Sequence, residues 1–214
     1  MRHMLRFAMT AALISTLIAC VPPTQIQPVL SNSVGLEALE ELGEIKRAPV
    51  QVGMVIAEDV RNLTLTAEYQ HALYSIPVGR ALAAKIIKLA SYQFEDIIIL
   101  GSTDASAPIV LSISTPHEKP NLSVSVTQQV LNDRYEALVQ INLMLQAHLM
   151  ENGKEIWTGT ARGAQYTFNG GFAGTSGIDL SRNLSDAVDQ ATDRLIADLM
   201  KQVRRSEPLS ALYQ

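Results

Sequence analysis

Four groups of residues carry chemistry that must be weighed: the histidines, the Glu58-Asp59 pair, a glycine- and aromatic-rich stretch around Phe172, and a lone cysteine, Cys20. Hydrolysis requires a nucleophile with a base in reach, and no Gly-x-Ser-x-Gly elbow occurs despite many serines. His148 alternates onto the wetter side of a strand, across from Trp157, where a stacked or solvated histidine is the expected role. His71 and His117 fall in separate loop-like stretches and His3 in the leader, so no His-x-x-x-His or cysteine pair marks a metal site. Glu58-Asp59, at the end of a strand, could serve acid–base work or hold a cation. Adjacent strand residues point to opposite faces, however, which favours simple solvation. Thr175-Ser176-Gly177 could offer backbone amides to an anion but lacks the Gly-Lys-Ser/Thr of a phosphate loop. These residues predict neither an enzyme nor a cofactor. What remains is Phe168, Gly170, Gly171, Phe172 and Gly174, a glycine loop whose aromatics could close over a partner or over a second copy. The competing expectation is that both phenylalanines pack under the last helix.

Cys20 is the only cysteine, so no internal disulfide exists. Arg2, His3 and Arg6 precede an apolar run from Phe7 to Ala19. A membrane-spanning helix needs about 20 such residues, so this run reads as a secretion signal. It ends Leu17-Ile18-Ala19-Cys20, which resembles the lipobox of bacterial lipoproteins. That resemblance implies an acylated Cys20 as mature N-terminus and the lipid bilayer as a partner. Each buried methylene contributes about 0.8 kcal/mol, so several chains on one residue hold a domain to the membrane almost permanently. Val21 after the cysteine, rather than Asp, implies by the same resemblance release to the periplasmic face of the outer membrane. The 17 basic and 21 acidic residues become a net charge of −6 once Arg2 and Arg6 leave with the signal. Nucleic acid and anionic surfaces are therefore disfavoured as broad partners.

The elements that must position any site follow from periodicity. Residues 1–19 are the leader, 20–48 the acylated cysteine and a linker, 49–205 one periplasmic domain, and 206–214 a loose tail. The linker can lift the domain off the membrane, with Leu36, Leu39 and Leu42 at helical spacing before Gly43. Val50, Val52, Met54 and Ile56 mark the first core strand, and the threonine-rich stretch before Pro77 favours extended structure. A helix follows, striped by Val78, Leu82, Ile86, Leu89 and Ala90, and ends near Tyr92 to Phe94. The β-branched run Ile97 to Leu100 predicts a strand buried on both faces. Strands over 108–114 and 122–126 lead to a central hairpin.

That hairpin organises the chain. From Tyr135 to Met150 the side chains alternate, with Val139, Ile141, Leu143, Leu145, Ala147 and Leu149 on one face. Asn152-Gly153 predicts a type I′ turn, setting Leu149 opposite Ile156, Ala147 opposite Thr158 and Leu145 opposite Thr160. Such long arms must twist or bulge, and Gly159 and Gly163 are the expected places. A bulge would also carry Arg162 off the dry face. The cover for that face is a C-terminal helix whose stripe is Leu184, Val188, Ala191, Leu195, Leu199 and Val203. The fold class is α+β: an antiparallel sheet with a long central hairpin, covered by the C-terminal amphipathic helix and a second helix.

Asn132-Asp133-Arg134-Tyr135, Asn152-Gly153, Tyr166, Gly170, Phe172, Asn183, Asp186-Ala187-Val188 and Ile196-Ala197-Asp198, together with the lipobox, resemble the YajG-like family of small outer-membrane lipoproteins. The shared residues are turn, hairpin and helix positions, so the resemblance implies a fold and a location but no active site. The leading expectation is a non-catalytic accessory or interaction subunit of a cell-envelope complex, its protein partner unidentified or a second copy of itself. The alternative is a small-ligand or lipid carrier using the space between sheet and helix. An envelope hydrolase comes third.

Overall fold

The computed structural model describes residues 24–25, 35, 39–40, 42–43, 46–69, 72–103, 107–117, 120–129, 134–163 and 177–213. In chain order these form β1 (Thr24–Gln25), β2 (Ala48–Ile56), α1 (Glu58–Arg61), β3 (Thr64–Tyr69), β4 (Ala72–Pro77), α2 (Gly79–Gln93) and β5 (Phe94–Ile99). Then follow β6 (Ile109–Ser114), β7 (Asn121–Gln129), β8 (Arg134–Asn142), β9 (Met144–Glu151), β10 (Lys154–Arg162), α3 (Gly177–Arg205), α4 (Glu207–Ser210) and a closing turn, Ala211–Tyr213.

The principal sheet has the order β10-β9-β6-β2-β5. The chain is α+β as expected, but the sheet is mixed: β2 runs parallel to both β5 and β6, while β6–β9 and β9–β10 are antiparallel. The reason lies in α2. A helix inserted between two strands of one sheet returns the chain to its starting end, so the second strand enters parallel to the first. Between β5 and β6, Leu100 and Ala107 stand against Gly53 so closely that a Cβ there would meet both. Glycine at 53 is required by that approach. Two smaller sheets also form among the described residues, β1-β4-β3 and β7-β8.

The alternating run expected as one long strand is divided at Leu143. Its first part, β8, pairs with β7, and its second, β9, pairs with β6 and β10. Around the break Leu143, Met144 and Leu145 are all buried, so both faces are covered there. The Asn152-Gly153 turn forms as predicted, with φ of 51° and 77°. The register beyond it differs by one residue. Glu155 faces Met150 but Trp157 faces Leu149, leaving Ile156 as the extra residue of a bulge, so Ala147 meets Gly159 and Leu145 meets Ala161. The bulge thus sits at Ile156, not at Gly159 or Gly163. Its effect is the one expected: a one-residue shift exchanges the faces, burying Ala161 and leaving Arg162 exposed.

All six residues of the α3 stripe are buried, and Ala187, Ile196 and Met200 widen the apolar face enough to pack on the sheet and on α2 together. The tail is not loose. Leu209 is buried, and the Tyr213 hydroxyl donates to the Gln93 carbonyl across 3.4 Å. Nor is the linker free along its length. Thr24 and Gln25 pair with Tyr74 and Ser75, Leu42 is buried, and Gly43 turns the chain with φ of 67°.

The isoleucine run is the largest departure. Rather than being covered on both faces, β5 is an edge strand, with Ile98 40% and Ile99 55% exposed. A continuous apolar run does not say whether it lies at the centre of a sheet or at its border.

Candidate functional site

Cys20 and the loop residues Phe168, Gly170, Gly171, Phe172 and Gly174 lie outside the described residues, as does His71. His117 is described and exposed. Among the described residues the structure assembles several clusters.

On the outer sheet face, β9 presents His148, whose Nδ1 lies 2.6 Å from the Glu155 carboxylate and 3.4 Å from the Thr158 hydroxyl. The strand register sets Thr158, not Trp157, opposite it, because the bulge displaces Trp157 by one position. On its other side Ser112 of β6 is the cross-strand partner. Serine, histidine and glutamate thus stand in a row, with the carboxylate orienting the ring. A nucleophile also needs its hydroxyl on the base, and among the described residues no hydrogen bond joins Ser112 to His148. The half-exposed His148–Glu155 contact has the geometry of a surface pair, worth about 0–1 kcal/mol.

Glu58 and Asp59 do not end a strand but open α1. Asp59 accepts hydrogen bonds from the Val60 N–H (2.8 Å), the Thr115 N–H (2.9 Å) and the Thr115 hydroxyl, tying α1 to the end of β6. Partial burial raises its pKa, but the Thr115 and Val60 donors together outweigh that and hold the carboxyl below its ordinary 3.8. A depressed carboxylate stabilises the fold above the unfolded-state value and loses that contribution as pH falls through the folded one. Asp59→Ala is accordingly expected to cost about 1 kcal/mol at neutral pH. Urea titrations at pH 7 and pH 3 check this: the difference between variant and parent should shrink at the lower pH.

The third cluster escaped the periodicity reading. Lys85 is fully buried between α2 and α3, its Nζ 2.6 Å from both Asp189 and Asp193, whose side chains are 27% and 14% exposed. Asp193 also accepts the Gly35 N–H at 2.9 Å. The signal was present in the chain: Lys85 stands three residues after Leu82 and four before Leu89, on the apolar stripe itself. Asp189 and Asp193, four apart, share one face of α3.

Near the C-terminal end of α3, Lys201, Arg204, Arg205 and Tyr213 line a groove of about 440 Å³. Arg204 donates to the Leu42 carbonyl (3.4 Å) and lies over the Tyr213 ring at 5.2 Å. Burial pushes the Tyr213 hydroxyl up to about 12, partly offset by the Arg204 charge. Cations at a helix C-terminus complement its dipole, which accounts for their placement. Gly35, through Asp193, and Leu42, through Arg204, are thus both fastened to α3. Among the described residues no group of three or more potential metal ligands occurs, and no helix is long and apolar enough to cross a membrane.

No protein-family model matches the chain, and no curated protein matches it significantly. Among solved structures, a putative neuraminyllactose-binding hemagglutinin homologue from Helicobacter pylori aligns with 80% of this chain and 91% of its own, at 11% identity and a TM-score of 0.49. A Xanthomonas campestris protein of the family designated DUF330 aligns with 84% of this chain and 97% of its own, at 12% identity and a TM-score of 0.42. The Neisseria meningitidis lipoprotein GNA1162 aligns with 66% and 97%, at 15% identity and a TM-score of 0.24. At these values the likenesses transfer neither activity nor partner to this chain.

Proposed function

We propose that this chain is an acylated lipoprotein on the periplasmic face of the outer membrane, serving as a non-catalytic accessory or interaction subunit of an envelope complex. The observation that carries the reading is Leu17-Ile18-Ala19-Cys20 closing a short apolar run, on a chain with no other cysteine. The resemblance to YajG-like lipoproteins, resting on the residues quoted above, supports the location. Support for a non-catalytic role comes from what the charged clusters do: Asp59 fastens Thr115, Lys85 is locked between two aspartates, and His148 is paired with Glu155. The carrier alternative took its motivation from the apolar sheet face. That face is filled by packed side chains of α2 and α3, among them Leu82, Ile86, Val188 and Leu195.

The tether has a mechanical consequence. Cys20 precedes β1 by four residues, a reach of roughly 14 Å when extended, so an acylated Cys20 holds the β3–β4 hairpin close to the bilayer. Membrane fractionation and mass spectrometry of the full chain test the proposal. The parent is expected in the outer-membrane fraction with acyl mass on Cys20, and Cys20→Ala is expected to lose both. Recovery of the parent from the cytosol, unmodified, would sink it.

A further inference from the structure

The principal sheet has two borders, and they are built differently. At β10 the side chains of α3 occupy the outward backbone groups: Gln202 Nε2 donates to the Thr160 carbonyl (3.1 Å), and Asp198 accepts the Arg162 N–H (3.2 Å). At β5 the outer border has no strand partner among the described residues, and it carries the two most exposed isoleucines of the sheet. Natural edge strands are commonly blunted by proline, lysine or a bulge. Ile97, Ile98 and Ile99 have none of these.

Backbone parity shows what the border offers. The Leu100 N–H donates to the Met54 carbonyl at 2.9 Å, and Ile99 is the register partner of Met54. Ile98 and Leu100 therefore turn their peptide groups toward β2, while Ile97 and Ile99 turn theirs outward. The charge along the strand is uneven. Glu95 and Asp96 stand at its start, and the part from Ile97 to Gly101 is uncharged.

We propose that β5 is a self-pairing edge, joining two copies of this chain antiparallel about a twofold axis at Ile98. In that register Ile98 faces Ile98, and Ile97 of each copy exchanges hydrogen bonds with Ile99 of the other. Asp96 then falls opposite Leu100 and Glu95 opposite Gly101, so the acidic part of each strand meets the uncharged part of its mate. Parallel pairing would instead set Glu95 on Glu95 and Asp96 on Asp96, which is unfavourable. Head-to-tail growth from β5 onto β10 is hindered where Gln202 and Asp198 occupy the Thr160 carbonyl and the Arg162 N–H. The β5–β5 pairing is isologous, and it closes at two copies.

A single introduced cysteine tests this in the purified full-length chain. The axis places the two Ile98 Cα atoms at the spacing of a non-hydrogen-bonded pair, about 4.5 Å, within disulfide range. Under mild oxidation Ile98→Cys is expected to give a disulfide-linked homodimer. Lys154→Cys, exposed on the far border, and the parent carrying only Cys20 supply the background. Adding Ile99→Lys to Ile98→Cys buries an unpaired charge at the interface and is expected to lower the dimer yield at least about tenfold. Because Ile99 is 55% exposed, the unfolding midpoint of that variant should stay at the value of Ile98→Cys alone. Dimer yields from Ile98→Cys no higher than from Lys154→Cys would overturn the proposal. So would a yield insensitive to Ile99→Lys, or capture of a different protein in place of a second copy when the crosslink is made in cells.

Discussion

Lys85→Met is expected to destabilise the domain by about 3–5 kcal/mol, a large fraction of the stability of an ordinary domain. The lysine is fully buried and holds two carboxylates at 2.6 Å, so its removal leaves Asp189 and Asp193 facing one another on successive turns of α3 with no cation between them. The magnitude comes from the orphaned charges, since methionine keeps most of the buried volume. A compensating variant separates these effects. With Asp189→Leu and Asp193→Leu added to Lys85→Met, most of the loss should return, because a buried ion cluster is often replaceable by apolar groups of similar size. Urea unfolding of the three proteins decides the matter. A cost below about 1 kcal/mol for Lys85→Met would show that the lysine is solvated in solution. The Gly35 bond to Asp193 adds a local readout: amide exchange at Gly35 should accelerate in any variant lacking Asp193.

Phe94→Ala is expected to cost a similar amount, about 3–5 kcal/mol, for a different reason. Phe94 is fully buried at the joint where α2 ends and β5 begins, and its N–H closes the helix on the Ala90 carbonyl. Its backbone is also the register partner of Ala48 at the start of β2. The ring therefore fills the corner between helix and parallel strand, where rigid elements on both sides limit collapse of the cavity. The unfolding midpoint should fall with an unchanged denaturant slope, and Phe94→Leu should lose less than half as much. An alanine variant within 1 kcal/mol of the parent would mean that the corner relaxes around the smaller side chain.

Local patterns were legible wherever the physics is local. The Asn152-Gly153 turn depends on two residues that tolerate positive φ, and both adopt it. The α3 stripe depends only on spacing along one helix, and each of its residues is buried. Spacing did not reveal the strand order. Alternation says which side of a strand is dry but not which strand lies beside it, so the parallel pairing of β5 with β2 and the division of the long run at Leu143 were not visible. The bulge at Ile156 carries no glycine to mark it. The burial of Lys85 is not local either: its partners are 104 and 108 residues away, and no short window holds both a lysine and the carboxylates that make its burial possible.

The sequence by itself determined the lone Cys20 closing a short apolar run, the tight turn and the amphipathic face of α3, because each is set by covalent order or by contacts within a few residues. Only the tertiary structure decided that one border of the sheet is sealed by α3 and the other left open, that Asp59 binds Thr115, and that a lysine sits in the core. Those outcomes rest on contacts between segments far apart in the chain. Whether an apolar strand becomes a centre or an edge is settled by the elements that reach it, not by its own residues.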